Sequence, residues 1–150
     1  MELKITQKPI SINSNSRIFY RIIILLLIMH YTGRSKNKRV PLLKIHLLVW
    51  ALQSIDRQKL LLTAKENDYR TSIGIWNIDI NTNKALGYMY EDKLCNIDKK
   101  NYELTEAGKN LVEAILEDKE LFKDERDFLS SIGKSLSDKK VMKLRDMWIS

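Results

Sequence analysis

Hydrophobic residues follow a pattern along the chain that predicts helices over most of its length. The strongest feature is Ile22–Met29, a run of eight apolar residues that follows two possible helix caps, Ser14 and Ser16. An element that is apolar on every side must be surrounded by protein. We therefore expect a buried central helix that runs to about Tyr31 and ends at Gly33.

Shorter helices are predicted after this central one. Pro41 suits the first turn of a helix that runs to about Ser54. Asp56 can cap the next helix, which extends over about 57–66. Apolar residues then recur on one side of a helix over about 82–93.

A short β-hairpin and three amphipathic helices complete the pattern. The strand candidates Leu94–Ile97 and Tyr102–Leu104 flank a polar turn, and Thr105 can cap the helix that follows. The last two helices are expected at about 119–132 and 137–148.

This pattern predicts a mostly α-helical protein with a small β-hairpin. The 150 residues, 44% of them hydrophobic, fit one domain with a real core and exclude a wholly disordered chain. We divide the chain into an N-terminal arm at 1–13, a helical domain at 14–118 and C-terminal helices at 119–150. The C-terminal helices pack either on this domain or on a partner.

The longest apolar run bears on where the protein resides. A membrane-spanning helix needs about 20 predominantly apolar residues, which is more than Ile22–Met29 provides. The run also lacks the features of a signal peptide. A single cysteine, Cys95, excludes an internal disulfide framework. We expect a cytoplasmic protein that does not enter the membrane.

Positive charge is concentrated in the first part of the chain. The formal net charge is +7, yet residues 1–60 carry eleven basic and only two acidic side chains. Such asymmetry indicates an anionic partner, either nucleic acid or an acidic protein surface, although solvated charge is an equally simple explanation.

Two polar segments are candidate DNA contacts. One is a basic loop and the other is the turn of the predicted hairpin. If they face DNA, they would bind phosphates without sequence preference, and the affinity would fall as salt increases. The alternative is that both are ordinary solvated connections. The candidate residues are Arg34, Lys36, Lys38, Arg39, Lys99 and Lys100.

Catalytic and metal-binding signals are weak. His30 and His46 have no second ligand at a metal-binding spacing, so we expect packed or boundary histidines. Cys95 stands beside apolar residues and is expected to be buried. The sequence has no phosphate-binding glycine loop, nucleophile elbow or metalloprotease motif. We expect a protein that is not an enzyme and holds no metal or other cofactor.

The end of the chain carries a small apolar set. Aromatic and methionine side chains are enriched in interface cores, so Met147 and Trp148 are candidate partner-binding residues. Packing against the rest of the chain is the alternative for both.

The residues around the hairpin resemble a winged-helix domain. The resemblance rests on Ala85-Leu86, on Leu94-Cys95-Asn96-Ile97 and on Tyr102–Lys109, which begins the helix after the hairpin. It implies a winged-helix core in which residues 82–93 form the recognition helix and 94–104 the wing. The expected recognition helix has no arginine to pair with guanine, and it carries Glu91 and Asp92. This disfavours sequence-specific DNA reading.

A wider resemblance covers about residues 17–117, through the apolar helix, the turn Tyr31–Ser35 and the helix with Lys44–Leu48. It is similar to the small middle component of bacterial three-component ABC-ATPase conflict systems, the group that includes Lamassu-type antiphage defence. The resemblance implies an accessory subunit that holds an SMC-like ABC ATPase and an effector protein together. The alternative hypothesis is a stand-alone, dimeric winged-helix transcriptional regulator.

Overall fold

The computed structural model describes the backbone of residues 13–149 and the side chains of residues 17–148. Within this range the protein is mostly helical with one small antiparallel sheet, as the sequence predicts. The predicted arm at 1–13 lies outside the described residues, except Asn13, which begins the first helix. The elements are α1 (Asn13–Thr32), β1 (Val40–Pro41), α2 (Leu42–Leu52), α3 (Ile55–Glu66), α4 (Ile80–Glu91), β2 (Cys95–Asp98), β3 (Asn101–Leu104), α5 (Glu106–Glu117), α6 (Lys123–Ile132) and α7 (Asp138–Asp146), followed by a 3-10 helix (Met147–Ile149).

The central helix is α1. Its apolar run Ile22–Met29 is at most 8% exposed, and α1 contacts α2, α4, α5 and α6. Burial of a Leu or Ile side chain contributes about 1.5–3 kcal/mol, so this run supplies much of the hydrophobic driving force for folding. Among the described residues, no helix is both long and apolar enough to cross a membrane.

A small antiparallel sheet lies beside α1. The hairpin β2–β3 follows α4, and its register pairs Cys95 with Leu104. The sequence analysis did not predict β1, which extends the sheet to three strands by pairing Val40 with Tyr102. A two-residue strand is too short to show an alternating pattern, so only the tertiary pairing reveals it.

Side-chain caps set the starts of several helices. Thr105 caps α5 as predicted, with its hydroxyl accepting a hydrogen bond from the Gly108 N–H at 3.0 Å. For α3 the predicted cap was wrong: Ser54 accepts from the Arg57 N–H at 3.4 Å, and Asp56 lies inside the first turn. This shift arises because α3 follows α2 after only two residues.

The C-terminal helices pack on the same chain. Phe128, Leu129 and Ile132 of α6 are buried, and α6 packs against α1 and α3. The helix begins at Lys123, later than expected, because Phe122 before it adopts a left-handed φ of 53°. Further along, the Tyr69 hydroxyl lies 2.7 Å from the Ser135 hydroxyl, which ties the α6–α7 connection to the end of α3.

Candidate functional site

The basic loop is a small, well-fixed hairpin between α1 and β1. Arg34 and Arg39 pair through two backbone hydrogen bonds of 3.0 and 2.7 Å. The Leu104 N–H donates to the Asn37 carbonyl at 2.8 Å, which fastens the tip to the end of β3. At its base, a Cβ on Gly33 would lie 2.4 Å from the Met29 oxygen. Only glycine fits there, because the backbone of the loop packs directly against the last turn of α1.

The four cations of this hairpin differ in how freely they reach solvent. Lys36 and Arg39 are exposed, whereas Arg34 and Lys38 are half-buried. Arg34 donates to the Lys134 carbonyl at 3.1 Å and thereby contacts the α6–α7 connection. We therefore assign any phosphate contact of the hairpin mainly to Lys36 and Arg39.

The wing contributes two further cations at a distance. Lys99 and Lys100 are exposed in the two-residue turn between β2 and β3, and Lys99 adopts a positive φ of 61°. The turn precedes β3, whereas Asn37 of the basic hairpin is fastened to the last residue of β3. Four residues of strand span about 13 Å, so the structure places the two predicted clusters at opposite ends of the sheet.

A buried lysine lies beneath the basic hairpin. Lys44 of α2 is 1% exposed, and its ammonium donates to the Thr32 carbonyl at 3.1 Å. Burial lowers the pKa of Lys44 to about 8, with nearby Arg34 acting in the same direction and Asp138 against it. The charge is partly balanced by the carbonyl end of α1.

The start of α4 is built around one carboxylate. Asp79 accepts from the Asn81 N–H at 3.0 Å and from the Thr82 hydroxyl at 3.1 Å, and it pairs with Arg21 at 2.8 Å. Burial by itself raises the pKa of Asp79, but these hydrogen bonds and the Arg21 charge hold it below its ordinary value. Asp79 therefore joins α4 to α1.

The buried His46 supports this corner. Its Nδ1 accepts from the Asp79 N–H at 3.2 Å and its Nε2 lies 3.1 Å from the Asn83 Oδ1, which assigns the proton to Nε2. Burial lowers the pKa of His46, while Asn83 and Asp79 oppose the change. The prediction of a packed histidine is confirmed. Asn83 is exposed at the surface, and its side-chain oxygen is engaged by His46.

A groove lies open between α1 and α2 on the same side as Asp79. We call it the α1–α2 groove. It consists of two adjoining cavities of about 300 and 360 Å³, which share Arg21 and Gln53. Its α1 wall carries Arg17, Tyr20, Arg21 and Ile24, its α2 wall carries Val49, Trp50, Leu52 and Gln53, and its far edge carries Asn77, Ile78, Asp79, Ile80 and Thr82.

The rim of the α1–α2 groove is apolar and cationic. Ile78 and Ile80 are 58% and 66% exposed, and Tyr20 is 45% exposed. Arg57 stacks over Trp50 with its guanidinium carbon 4.8 Å from the ring centroid. The sequence analysis did not find this surface. The helical spacing of Arg17, Tyr20, Arg21 and Ile24 is a signal for it, but exposure on the far edge depends on tertiary packing.

The predicted partner-binding residues at the C-terminus lie against the domain. Trp148 meets Trp76 edge to face, with ring centroids 4.8 Å apart. Both Trp148 and Met147 are half-buried and pack against the core. Met147 and Trp148 therefore pack against the rest of the chain, which is the alternative to partner binding given in the sequence analysis.

Cys95 and His30 are the other side chains that could have carried chemistry. Cys95 is fully buried, and burial raises the pKa of its thiol to about 11, so it is protonated at neutral pH. His30 is half-buried and meets the Tyr31 ring edge to face. In the part of the chain that the structure describes, no three His, Cys, Asp or Glu residues are arranged to hold a metal ion.

Comparison with known proteins gives no relative for this chain: no protein-family model, curated protein or solved structure matches it. Its class is therefore defined by the fold alone, a mostly helical protein with a small three-stranded antiparallel sheet. The basic hairpin, the wing and the α1–α2 groove are its candidate functional surfaces.

Proposed function

We propose that this protein is a non-catalytic adaptor subunit of a cytoplasmic, SMC-like ABC-ATPase complex in antiphage defence. In this role it bridges the ATPase and an effector protein. The observation that carries the proposal is the exposed apolar rim of the α1–α2 groove, with Tyr20, Ile78 and Ile80. Apolar patches bordered by polar and charged groups are typical of protein-binding sites.

The face of α4 supports an adaptor over a regulator that reads bases. Asn83 is hydrogen-bonded to His46, and among the exposed side chains of α4 Lys84 is the only cation and Glu91 is acidic, which leaves Asn81 as the other exposed amide. Base reading requires arginine, lysine or amide groups that are free to reach the groove of DNA. The winged-helix core is therefore better suited to bind protein than to select a DNA sequence.

The adaptor also contacts DNA without sequence preference through the basic hairpin, with a weaker contribution from Lys99 and Lys100. Exposed Lys36 and Arg39 carry this part of the proposal. Each neutralised phosphate adds about one to the slope of log affinity against log salt. Replacing both residues with alanine should lower the slope by about two, whereas alanines at Lys139 and Lys143 on α7 should leave it unchanged. An unchanged affinity and slope in the hairpin variant would exclude the contact.

Affinity purification tests the adaptor function directly. The tagged full-length protein is purified from its own host under native conditions, and the co-purifying chains are identified by mass spectrometry. Recovery of an SMC-like ABC ATPase in stoichiometric amount supports the proposal. Recovery of a lone dimer that shifts one defined DNA sequence favours the transcriptional regulator instead.

A further inference from the structure

The α1–α2 groove is an apolar channel between two helices. Arg17, Tyr20, Arg21 and Ile24 follow the i, i+3, i+4, i+7 spacing of one helical face along α1. Elsewhere on the same helix, α5 and α6 cover the corresponding surface. Packing of ridges into grooves makes a third helix the natural occupant of a channel between two helices.

Charge at the groove specifies the occupant further. Arg17 is exposed and Arg21 is half-buried on the α1 wall, and the half-buried Arg57 stacks over Trp50 of the α2 wall. Among the residues that line the two cavities, the only carboxylate is Asp79, which already pairs with Arg21 at 2.8 Å. The groove therefore has an excess of positive charge.

Other charged groups nearby offset this excess only in part. Glu125 forms a side-chain hydrogen bond with Tyr20, whose ring meets the Phe122 ring with centroids 5.3 Å apart. Together with Asp79 this makes two carboxylates against the three arginines. Arg57 is held by the Trp50 carbonyl at 3.2 Å and the Gln53 amide oxygen at 3.1 Å, both neutral partners, so its charge is not cancelled.

We propose that the α1–α2 groove binds an acidic amphipathic helix of a partner protein. Leucine-like side chains of that helix enter the two cavities, and its flanking carboxylates pair with Arg17 and Arg57. This inference rests on the proposed adaptor function, because it names the surface that receives the partner. Apolar anchors in pockets with charges at the rim are the usual division between affinity and specificity in such interfaces.

Two synthetic peptides test the proposal on the full-length protein. The first is an amphipathic helix of about 18 residues with leucines on one face and flanking glutamates, and the second carries lysines in place of the glutamates. By fluorescence anisotropy, we expect the glutamate peptide to bind at least about ten-fold more tightly at low salt. In ¹⁵N spectra, its addition should shift amides in 17–25, 49–53 and 77–82, and not those of 34–39.

A matched pair of variants sharpens the result. Arg17→Glu combined with Gln53→Glu changes two groove residues, and we expect it to weaken the glutamate peptide about ten-fold or more. Lys139→Glu combined with Lys143→Glu changes exposed residues of α7 and should leave binding within about two-fold. All four residues are exposed, so both variants should fold, which circular dichroism checks.

Several outcomes would overturn the inference. Equal binding of the two peptides would remove the charge argument, and amide shifts outside the groove would remove the site. Self-association of the wild-type protein that Arg17→Glu abolishes would identify a second copy as the occupant. Tighter peptide binding after deletion of residues 2–12 would identify the protein's own N-terminal segment. If both the ATPase and the effector still co-purify with the groove variant, the adaptor function stands and the groove proposal fails.

Discussion

At one end of the α1–α2 helix pair, the last turn of α1 is covered by the basic hairpin and by the buried Lys44, whereas at the other end the pair opens into the α1–α2 groove. The closed end has backbone atoms in contact around Gly33. The open end has two adjoining cavities and exposed isoleucines. The same two helices are thus tightly packed at one end and carry the proposed binding surface at the other.

This difference separates residues that determine stability from residues that are free to determine binding. Close packing makes any added atom costly at the closed end, because nothing there can move aside. At the open end, solvent-exposed side chains change little in stability when substituted. Substitutions at the two ends should therefore produce opposite phenotypes.

The largest effect is expected for Gly33→Ala. The new Cβ would lie 2.4 Å from the Met29 oxygen and 2.6 Å from the Lys38 oxygen, both backbone atoms. We expect a loss of about 3 kcal/mol or more in the free energy of unfolding, measured by urea denaturation. Gly87→Ala in α4 is the control: its Cβ meets no atom within 4 Å, so it should stabilise the protein by about 0.5–1 kcal/mol. A loss below about 1 kcal/mol for Gly33→Ala would mean that the backbone at the closed end shifts to accommodate the added Cβ.

The next effect concerns Lys44 and pH. Its pKa is about 8 in the folded protein, against an ordinary value of 10.5. Between these values the unfolded chain binds more protons, so this group makes the free energy of unfolding rise with pH, by about 3 kcal/mol in total. Lys44→Met should remove this rise, which is measured as the difference between the two stability curves from pH 7 to 10.5. Parallel curves would show that the ammonium is better solvated than the structure indicates.

Trp148→Ala tests the contact between Trp148, near the end of the chain, and Trp76, which directly precedes the far edge of the α1–α2 groove. Loss of the edge-to-face contact with Trp76 should cost about 2 kcal/mol, less than for a fully buried tryptophan. Met142→Ala, 42% exposed on α7, is the control and should cost less than about 0.5 kcal/mol. If Trp148→Ala leaves stability unchanged and instead abolishes recovery of the ATPase, Trp148 is a docking residue.

The order of elements could be predicted from the sequence because local signals define it. The apolar run of α1, the cap at Thr105 and the strands around Lys99 are each visible within about ten residues of chain. Starts of helices were less certain: Ser54 caps α3, where Asp56 offered an equally good side chain. When two residues that can both act as caps stand near the start of a helix, the sequence does not reveal which of them is the cap.

The candidate sites depend on contacts between distant segments, and there the sequence was less informative. The sequence showed that the basic hairpin and the wing are cationic. It did not show that the length of β3 separates these two clusters. It gave no indication that Asp79 would pair with Arg21, 58 residues away, or that two cavities would open beside that pair. Lys44 is an intermediate case, since a lysine inside the apolar stretch of α2 is a signal for a buried charge.

The smallest effect is expected at the supporting edge of the groove, through His46. Burial lowers its pKa in the folded protein, so the unfolded chain binds the proton first as pH falls below about 6.5. The free energy of unfolding should therefore decrease on acidification from pH 7 to 5, because protonated Nδ1 no longer accepts from the Asp79 N–H. Burial also lowers the pKa of His30, which precedes Gly33 by three residues, so the comparison is made in the His30→Gln protein. In that background His46→Gln should flatten this part of the stability curve, and Asp79 itself titrates only at lower pH, since its pKa is held below the ordinary value. In ¹⁵N spectra of the His30→Gln protein, the Asp79 amide should shift over the same pH range, while that of Gly33 at the closed end should not. Equal shifts at both amides would mean that acidification loosens the whole helix pair and that the two ends are not independent.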